Sequence, residues 1–224
     1  MAMPAESFAA IITAAGSSTR FHNSLKKEYA LLDEQPVLIW SLKAFLMARH
    51  FSPVVITVPQ GHEGLVEDML KDYKLKTKLL IRSGGRSRQE SVKKALLALK
   101  DFKPNYVLIH DGARPWVSPA LINSVLTQAV EHGACIPLVK QVDSVVKTHS
   151  SNQVAEYLDR DFLFSVQTPQ GFLYEAILDA HLKAEQIAKE FSDDGQIYLL
   201  LKRPLFTVPG EVTNRKITYL KDLK

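Results

Sequence analysis

The hydrophobic pattern changes period repeatedly along the chain. Residues 8–14 form a continuous apolar run, which predicts a short buried strand ending at Gly16. Pro36 sits at a helix start, and Leu38, Leu42 and Phe45 recur behind it at helical spacing. Residues 53–58 are rich in β-branched side chains and closed by Pro59 and Gly61, so they predict a second strand. Residues 62–72 carry a weaker helical pattern, and 78–81 form a third strand that runs into Gly84 and Gly85. Next, Val92, Ala95, Leu96 and Leu99 share one helical face, and Pro104 stops that pattern. Residues 106–109 predict a fourth strand, Pro119 opens a helix with Leu121, Val125, Leu126 and Ala129 inward, and 133–138 predict a further strand. Strands alternating with helices in this way imply βαβ units. The expected class is α/β: a Rossmann-like, mostly parallel sheet with helices on both faces.

The alternation breaks after Pro137. Residues 142–148 and 154–158 are short, semi-polar extended segments around His149-Ser150-Ser151-Asn152, which predicts a β-hairpin. It has too few large apolar residues to bury itself, so the expectation is a projecting arm at about 140–160 that packs on a second subunit. Residues 174–189 return to helical spacing. Ser192-Asp193-Asp194 reads as a helix N-terminus, where carboxylates favour the dipole. Residues 206–208 and 216–218 predict late short strands. No repeat or interdomain linker interrupts 1–224, so one domain carrying an arm is expected.

Composition narrows the function. The 224 residues suffice for one substantial core. The net charge of +4 suits an anionic small molecule as well as it suits nucleic acid, but the Lys and Arg residues are dispersed, whereas nucleic-acid binders concentrate them in a stripe. The expectation is therefore no nucleic-acid partner, with a non-catalytic nucleotide- or nucleic-acid-binding module as the alternative from another class. Cys135, the one cysteine, excludes an internal disulfide, suits a reducing, cytoplasmic compartment, and sits in a strand-like setting that reads as packing. No apolar stretch reaches membrane-spanning length, and the first eight residues lack signal-peptide organisation, so no membrane partner is expected.

Candidate chemistry gathers where strands end, since ligands in open α/β sheets bind beyond the carboxyl ends of the strands. The first loop reads Ala14-Ala15-Gly16-Ser17-Ser18-Thr19-Arg20, with Lys26-Lys27-Glu28-Tyr29 behind it. Small residues expose backbone N–H groups to an anion, and cations supply full charge. The other reading is an ordinary strand-to-helix turn with a solvated basic edge. Gly84, Gly85 and Arg86 follow the third strand, and His110, Asp111 and Arg114 follow the fourth. Cations and N–H groups suit phosphate, while a carboxylate after a strand suits a Mg²⁺ bridging phosphates. No Walker loop, dinucleotide fingerprint, zinc spacing or Gly-x-Ser-x-Gly elbow is present.

Ala14-Ala15-Gly16 with Arg20 and Lys27 is followed in order by Gly84-Gly85 with Arg88-Gln89 and Ser91-Val92, then by residues 110–115. Asp143-Ser144 and Lys147 come next, then Asp159-Arg160, residues 167–172, and Asn214 with Lys216-Ile217-Thr218. This order resembles the 2-C-methyl-D-erythritol 4-phosphate cytidylyltransferases of the non-mevalonate isoprenoid pathway, over about residues 11–222. The ribitol-5-phosphate cytidylyltransferases share most of these motifs and stand as the alternative. The resemblance implies in-line attack of a polyol phosphate on CTP, assisted by Mg²⁺, in a homodimer joined through the 140–160 arm. It implies Arg20, Lys27 and Lys216 as catalytic residues. CTP would be bound by Ala14, Ala15, Gly16, Ser17, Ser18, Gly84, Gly85, Ser91, Asp111 and Gly112. The polyol phosphate would face Asp111, Arg114, Ser144, Arg160 and Thr168, and Asp111 would help place the metal. His110 is expected to support the site rather than to react.

Four positions depart from the family pattern. Ser18 stands where a second glycine is common, and a serine with positive φ there is strained. Lys26 replaces a common proline, which adds charge and loses rigidity. Ser144 replaces a threonine and keeps the hydroxyl. Arg215 replaces an apolar residue and is expected to add a cation near the nucleotide.

Overall fold

The computed structural model describes residues 6–21, 26–150, 152–187 and 189–223. The strands are β1 (Phe8–Thr13), β2 (Leu31–Leu32), β3 (Gln35–Pro36), β4 (Val54–Val58), β5 (Leu79–Ser83) and β6 (Tyr106–Asp111), followed by β7 (Ala134–Lys140), β8 (Val145–Thr148), β9 (Val154–Leu158), β10 (Phe164–Val166), β11 (Gln170–Leu173) and β12 (Phe206–Pro209). The helices are α1 (Val37–Ala48), α2 (Glu63–Lys71), α3 (Arg88–Ala98), α4 (Pro119–His132), α5 (Tyr174–Ala184) and α6 (Asp194–Tyr198). Eight strands form the main sheet in the order β10-β7-β11-β6-β1-β4-β5, with β12 on the other side of β7. β6, β1, β4 and β5 are parallel neighbours, β12 runs parallel to β7, and β10 and β11 are antiparallel.

The strand period of two sends alternate side chains to opposite faces. In β1, Ala10 and Ile12 join a core with Leu38, Leu42, Phe45 and Leu126, under α1 and α4. Ala9 and Ile11 join the opposite core with Val92, Leu96, Ile177 and Ile197, under α3, α5 and α6. Burying one such aliphatic side chain contributes about 1.5–3 kcal/mol, so the two layers hold the strand ends in fixed register. Helix starts are set locally. Ser87 caps α3 by accepting from Glu90 N, and Ser118 caps α4 by accepting from Leu121 N. Gly133, at φ +87, closes α4 in the left-handed conformation.

β10 and β11 were not apparent in the hydrophobic pattern. Together they run along one side of β7, and β11 wedges between β7 and β6. Gly171 makes that possible: a Cβ there would lie 2.9 Å from Ala129 Cβ and 3.1 Å from Val125 Cγ1 of α4. Residues 216–218, expected as a strand, form none. Their backbone meets a loop rather than a strand edge and makes an isolated bond, Ile217 N to Ala113 O at 2.8 Å. The helix expected over 174–189 ends at Ala184.

The hairpin is present. β8 and β9 pair antiparallel in a sheet of their own, separate from the main one. Around it Val142, Tyr157 and Phe162 are 77%, 74% and 81% exposed, the reverse of the buried first half of β7.

Candidate active site

Asp111 is the hub. It ends β6, in register with Thr13 at the end of β1, so both side chains stand at the carboxyl edge of the sheet. Lys216 Nζ donates to Asp111 Oδ2 at 2.7 Å and Arg88 Nε donates to Oδ1 at 3.0 Å; Arg114 Nε lies 3.8 Å from Oδ2. Burial alone would raise the pKa of this carboxyl, but Lys216, Arg88 and Arg114 outweigh it and hold it well below the usual carboxylate range. Asp111 is therefore ionised, and three cations converge on it.

A polar staple delivers Lys216 to this point. Gln167 Nε2 donates to Glu211 O at 2.8 Å, and Glu211 N donates back to Gln167 Oε1 at 3.1 Å. Asn214, fully buried, donates from Nδ2 to Thr168 O at 2.8 Å, and Arg114 Nη1 donates to Asn214 O at 2.7 Å. The segment after β12 is thus fixed to the β10–β11 turn and to the loop after β6, which explains how a residue 105 positions from Asp111 reaches it.

One cleft, of about 460 Å³, opens beside the first loop. Ala15, Gly16, Ser17 and Ser18 form one wall, and Lys27, Gly85, Arg88, Ser91 and Lys216 line it too. Ser18 takes φ +53, the left-handed conformation anticipated as strained. Its hydroxyl donates to Glu28 Oε2 at 3.3 Å, and burial raises the Glu28 carboxyl above its ordinary range despite Lys27 and Lys26 nearby. Lys26 does more than add charge: its ammonium donates to Gly16 O and ties the loop to the chain behind it. Lys27 is buried, with Nζ donating to Ile217 O at 3.0 Å. Gly84 packs where a Cβ would lie 2.3 Å from Ala15 Cβ, so the two loops close on each other only with glycine there. Ser91 accepts from Gly85 N at 2.9 Å and donates to Ser87 O at 2.8 Å, which shapes the glycine turn.

A second cleft of about 330 Å³ adjoins the first and shares Arg88, Asp111 and Lys216 with it. Arg114, Gln167, Thr168 and Ser192 also line it. The Thr168 hydroxyl accepts from Asp111 N at 3.1 Å and lies 3.0 Å from His110 Nδ1. That pattern makes Nδ1 the acceptor and directs the Nε2 hydrogen to Arg114 O at 3.2 Å. His110 is fully buried, and burial pushes it down to about 4, so the ring is neutral and positions its neighbours, as expected.

Several expected residues lie elsewhere. Ala14 and Gly112 line neither cleft: Ala14 N donates to Thr57 O at 2.8 Å, and Gly112 bonds Thr13 O and Ser41, so both serve the strand ends. Gly84 supports its loop from behind. Ser144 and Arg160 sit on the exposed arm, and Arg160 Nη1 donates to Val142 O at 3.0 Å. Neither lines a cleft of this single chain. The Arg20 side chain lies outside the described residues. Arg215 lines neither cleft, and its guanidinium lies 4.4 Å above the Trp116 ring. Burial pushes the Cys135 thiol up to about 12, in keeping with packing.

Sequence reasoning missed Glu28, and gave Arg88 and Asp194 no role in the site. Arg88 stands at the first turn of α3 and Asp194 at that of α6, positions that read locally as ordinary helix starts. Only the packing of α3 against α5 and α6 brings them together.

Among the described residues no group of three His, Cys, Asp or Glu side chains could enclose a metal. A single carboxylate between two anion-sized clefts does fit a Mg²⁺ that arrives on phosphate oxygens, the usual habit of that ion.

An α/β sheet with a cation-ringed carboxylate at its carboxyl edge, between adjoining polar clefts, defines a phosphate-handling protein of the nucleotide-binding class. Residues 8–224 match the family model described as IspD, 2-C-methyl-D-erythritol 4-phosphate cytidylyltransferase, and the chain belongs to that family. It is 36% identical over 220 residues to the bifunctional enzyme IspD/IspF of Bartonella henselae, covering 97% of this chain and 55% of that one. It is also 36% identical to the 2-C-methyl-D-erythritol 4-phosphate cytidylyltransferase of Lachnoclostridium phytofermentans, covering 97% of this chain and 94% of that one. The chain thus spans about half the length of the bifunctional relatives and nearly all of the single-activity one. Its fold superposes on the 4-diphosphocytidyl-2C-methyl-D-erythritol synthase of Anaerococcus prevotii with a TM-score of 0.84 and 27% identity, covering 97% and 95% of the two chains.

Proposed function

We propose that this chain transfers the CMP unit of CTP to 2-C-methyl-D-erythritol 4-phosphate, giving 4-diphosphocytidyl-2-C-methyl-D-erythritol and pyrophosphate. The observation that carries this is the pair of clefts meeting at Asp111, Arg88 and Lys216. A triphosphate in the larger cleft and a phosphate in the smaller would meet at those residues. An acceptor phosphate oxygen forms a bond to the α-phosphorus of CTP while the bond to the bridging oxygen breaks, and that oxygen leaves with its electron pair on pyrophosphate. No covalent bond to the protein forms.

Catalysis of this kind is positioning plus charge stabilisation. Lys27 and Arg20 neutralise the triphosphate and the charge that develops on it. Lys216, movable between Asp111 and a phosphate oxygen, holds the α-phosphate. The backbone of Ala15–Ser18 offers N–H groups, and the Gly84-Gly85 turn shaped by Ser91 frames the base. Asp111 and Arg114 orient the acceptor. Mg²⁺, held by Asp111 and phosphate oxygens, would supply additional charge neutralisation when bound. Asp111 would have to exchange part of its bonding to Lys216 and Arg88 for it.

The exposed apolar arm supports a homodimer in which Ser144 and Arg160 reach the acceptor cleft of the second copy. The single buried cysteine suits a cytoplasmic setting. The test is pyrophosphate release from CTP and Mg²⁺ with a panel of polyol phosphates. Turnover with methylerythritol phosphate supports the reading; turnover with ribitol 5-phosphate instead moves the chain's substrate to that alcohol.

A further inference from the structure

Arg88 is shared between two carboxylates. Its Nε donates to Asp111 Oδ1 at 3.0 Å, and its Nη2 lies 2.8 Å from Asp194 Oδ2. That second contact is an ion pair rather than an aligned hydrogen bond: neither Arg88 Nη2 nor Asp194 Oδ2 has a hydrogen-bond partner among the described residues. Asp194 is itself immobilised. It is fully buried, its other oxygen lies 3.1 Å from His181 Nε2, and it opens a helix capped by Asp193. His181 is buried on α5. A guanidinium is rigid and planar, so an ion pair that holds one of its nitrogens in place limits the direction of the next. The deepest member of the chain therefore sets the direction of the Arg88 bond to Asp111. Burial works against the charge on Arg88, but Asp194 and Asp111 together outweigh it.

We propose that Asp194 is a positioning residue for transfer, acting through Arg88 to aim the Asp111 carboxylate at the boundary between the two clefts. Asp194 also balances one of the three cations around Asp111. Without it, Arg88 would swing wholly onto Asp111 and mask the carboxylate that orients the acceptor. Arg88 and Asp111 also line the nucleotide cleft, but its loop wall, residues 15–18, has no contact in this chain of bonds, so CTP binding changes less than transfer does.

This inference rests on the proposed cytidylyl transfer. Its test is a double-mutant cycle of Asp194→Asn and Asp111→Asn, read as kcat and as KM for each substrate, with melting curves for every variant. Asp194→Asn is expected to lower kcat roughly 10- to 100-fold, with the KM for CTP within about threefold of wild type. In the Asp111→Asn background the same change is expected to cost less than about threefold, because the residue it acts through is gone. An equal loss in both backgrounds, or an unchanged kcat for the single variant, overturns the proposal. Because Asp194→Asn strands a buried guanidinium, Arg88→Lys is the second variant. It keeps the charge beside Asp194, yet one ammonium cannot hold both directions, so kcat falls while melting stays near wild type. Full activity in Arg88→Lys counts against the proposal. Wild-type protein that releases no pyrophosphate overturns the functional reading, and this inference with it.

Discussion

The two clefts differ in how they are furnished. The nucleotide-sized cleft draws its described walls from the ends of β1, β5 and β6 and from segments stapled to them. The acceptor-sized cleft has a rigid floor of Asp111, Arg114 and Thr168, while Ser144 and Arg160 stand apart on the arm. The groups that the proposal assigns to the triphosphate are locked by buried layers. Ser144 and Arg160, which the proposal assigns to the acceptor, are carried by a hairpin whose apolar side chains Val142, Tyr157 and Phe162 are exposed. In the proposed dimer the second half of this site belongs to an assembly, and the contrast can be broken experimentally at several levels.

The largest effect is expected at the rigid half. Lys27→Ala should lower turnover on the order of a thousandfold or more, because a buried charge aimed at the triphosphate is lost. The lost charge-assisted bond to Ile217 O costs about 1.5–3 kcal/mol, so melting should fall modestly while the chain stays folded. Pyrophosphate release and a melting curve check both, and near-normal turnover would sink the assigned role.

The next effect tests the assembly itself. Arg160→Ala should be nearly inactive alone, with the KM for the acceptor raised more than that for CTP. Mixed and re-annealed with Lys27→Ala, it should recover roughly a quarter of wild-type activity. Half of the dimers then contain both chains, and each of those has one site with neither defect. No recovery, with mixed dimers demonstrated by mass, would place Arg160 in its own chain's cleft.

Much of this was legible in sequence because the relevant information is local. Runs such as residues 54–58 carry their strand signal in β-branched content, and Gly84 carries a close approach that no Cβ allows. The triphosphate loop, Asp111 and Lys216 follow from polar residues at strand ends and from the order of the motifs. What stayed hidden is non-local. β11 is a four-residue strand whose antiparallel place between β6 and β7 depends on Gly171 meeting Ala129 and Val125. Asp194 looks like any acidic helix start until Arg88 arrives from more than a hundred residues away. The stacking of Arg215 on the Trp116 ring joins residues 99 positions apart, so no local pattern announces it.

A smaller effect concerns the floor that both clefts share. His110 is pushed down to about 4 from an ordinary 6.5, so below pH 6.5 the unfolded chain takes up a proton that the folded chain refuses. Stability should therefore fall as pH drops from 6.5 to 4, by about 3 kcal/mol in total. Glu28 works the other way: raised above 4.5, its contribution is full below that pH and fades as pH rises. Chemical denaturation of wild type against His110→Gln isolates the histidine, and the variant should show the flatter slope. Parallel slopes would mean that His110 is already charged in the fold.

The smallest effect lies in the first loop, where two terms nearly cancel. Ser18→Gly relieves a left-handed residue, worth roughly 1 kcal/mol. It also removes the hydroxyl that Glu28 accepts at 3.3 Å, a weak bond worth roughly the same, and glycine adds freedom to the unfolded chain. Net stability should therefore shift by less than about 1 kcal/mol. Function should move more. The hydroxyl shields the Glu28 carboxyl from the cleft, and without it a buried acid faces the incoming triphosphate unmasked. The KM for CTP should rise several-fold while the KM for the acceptor stays put, since Ser18 and Glu28 line only the first cleft. A matched rise in both would show that the loop couples to the acceptor half, and the division between the two clefts would then be less sharp than their walls suggest.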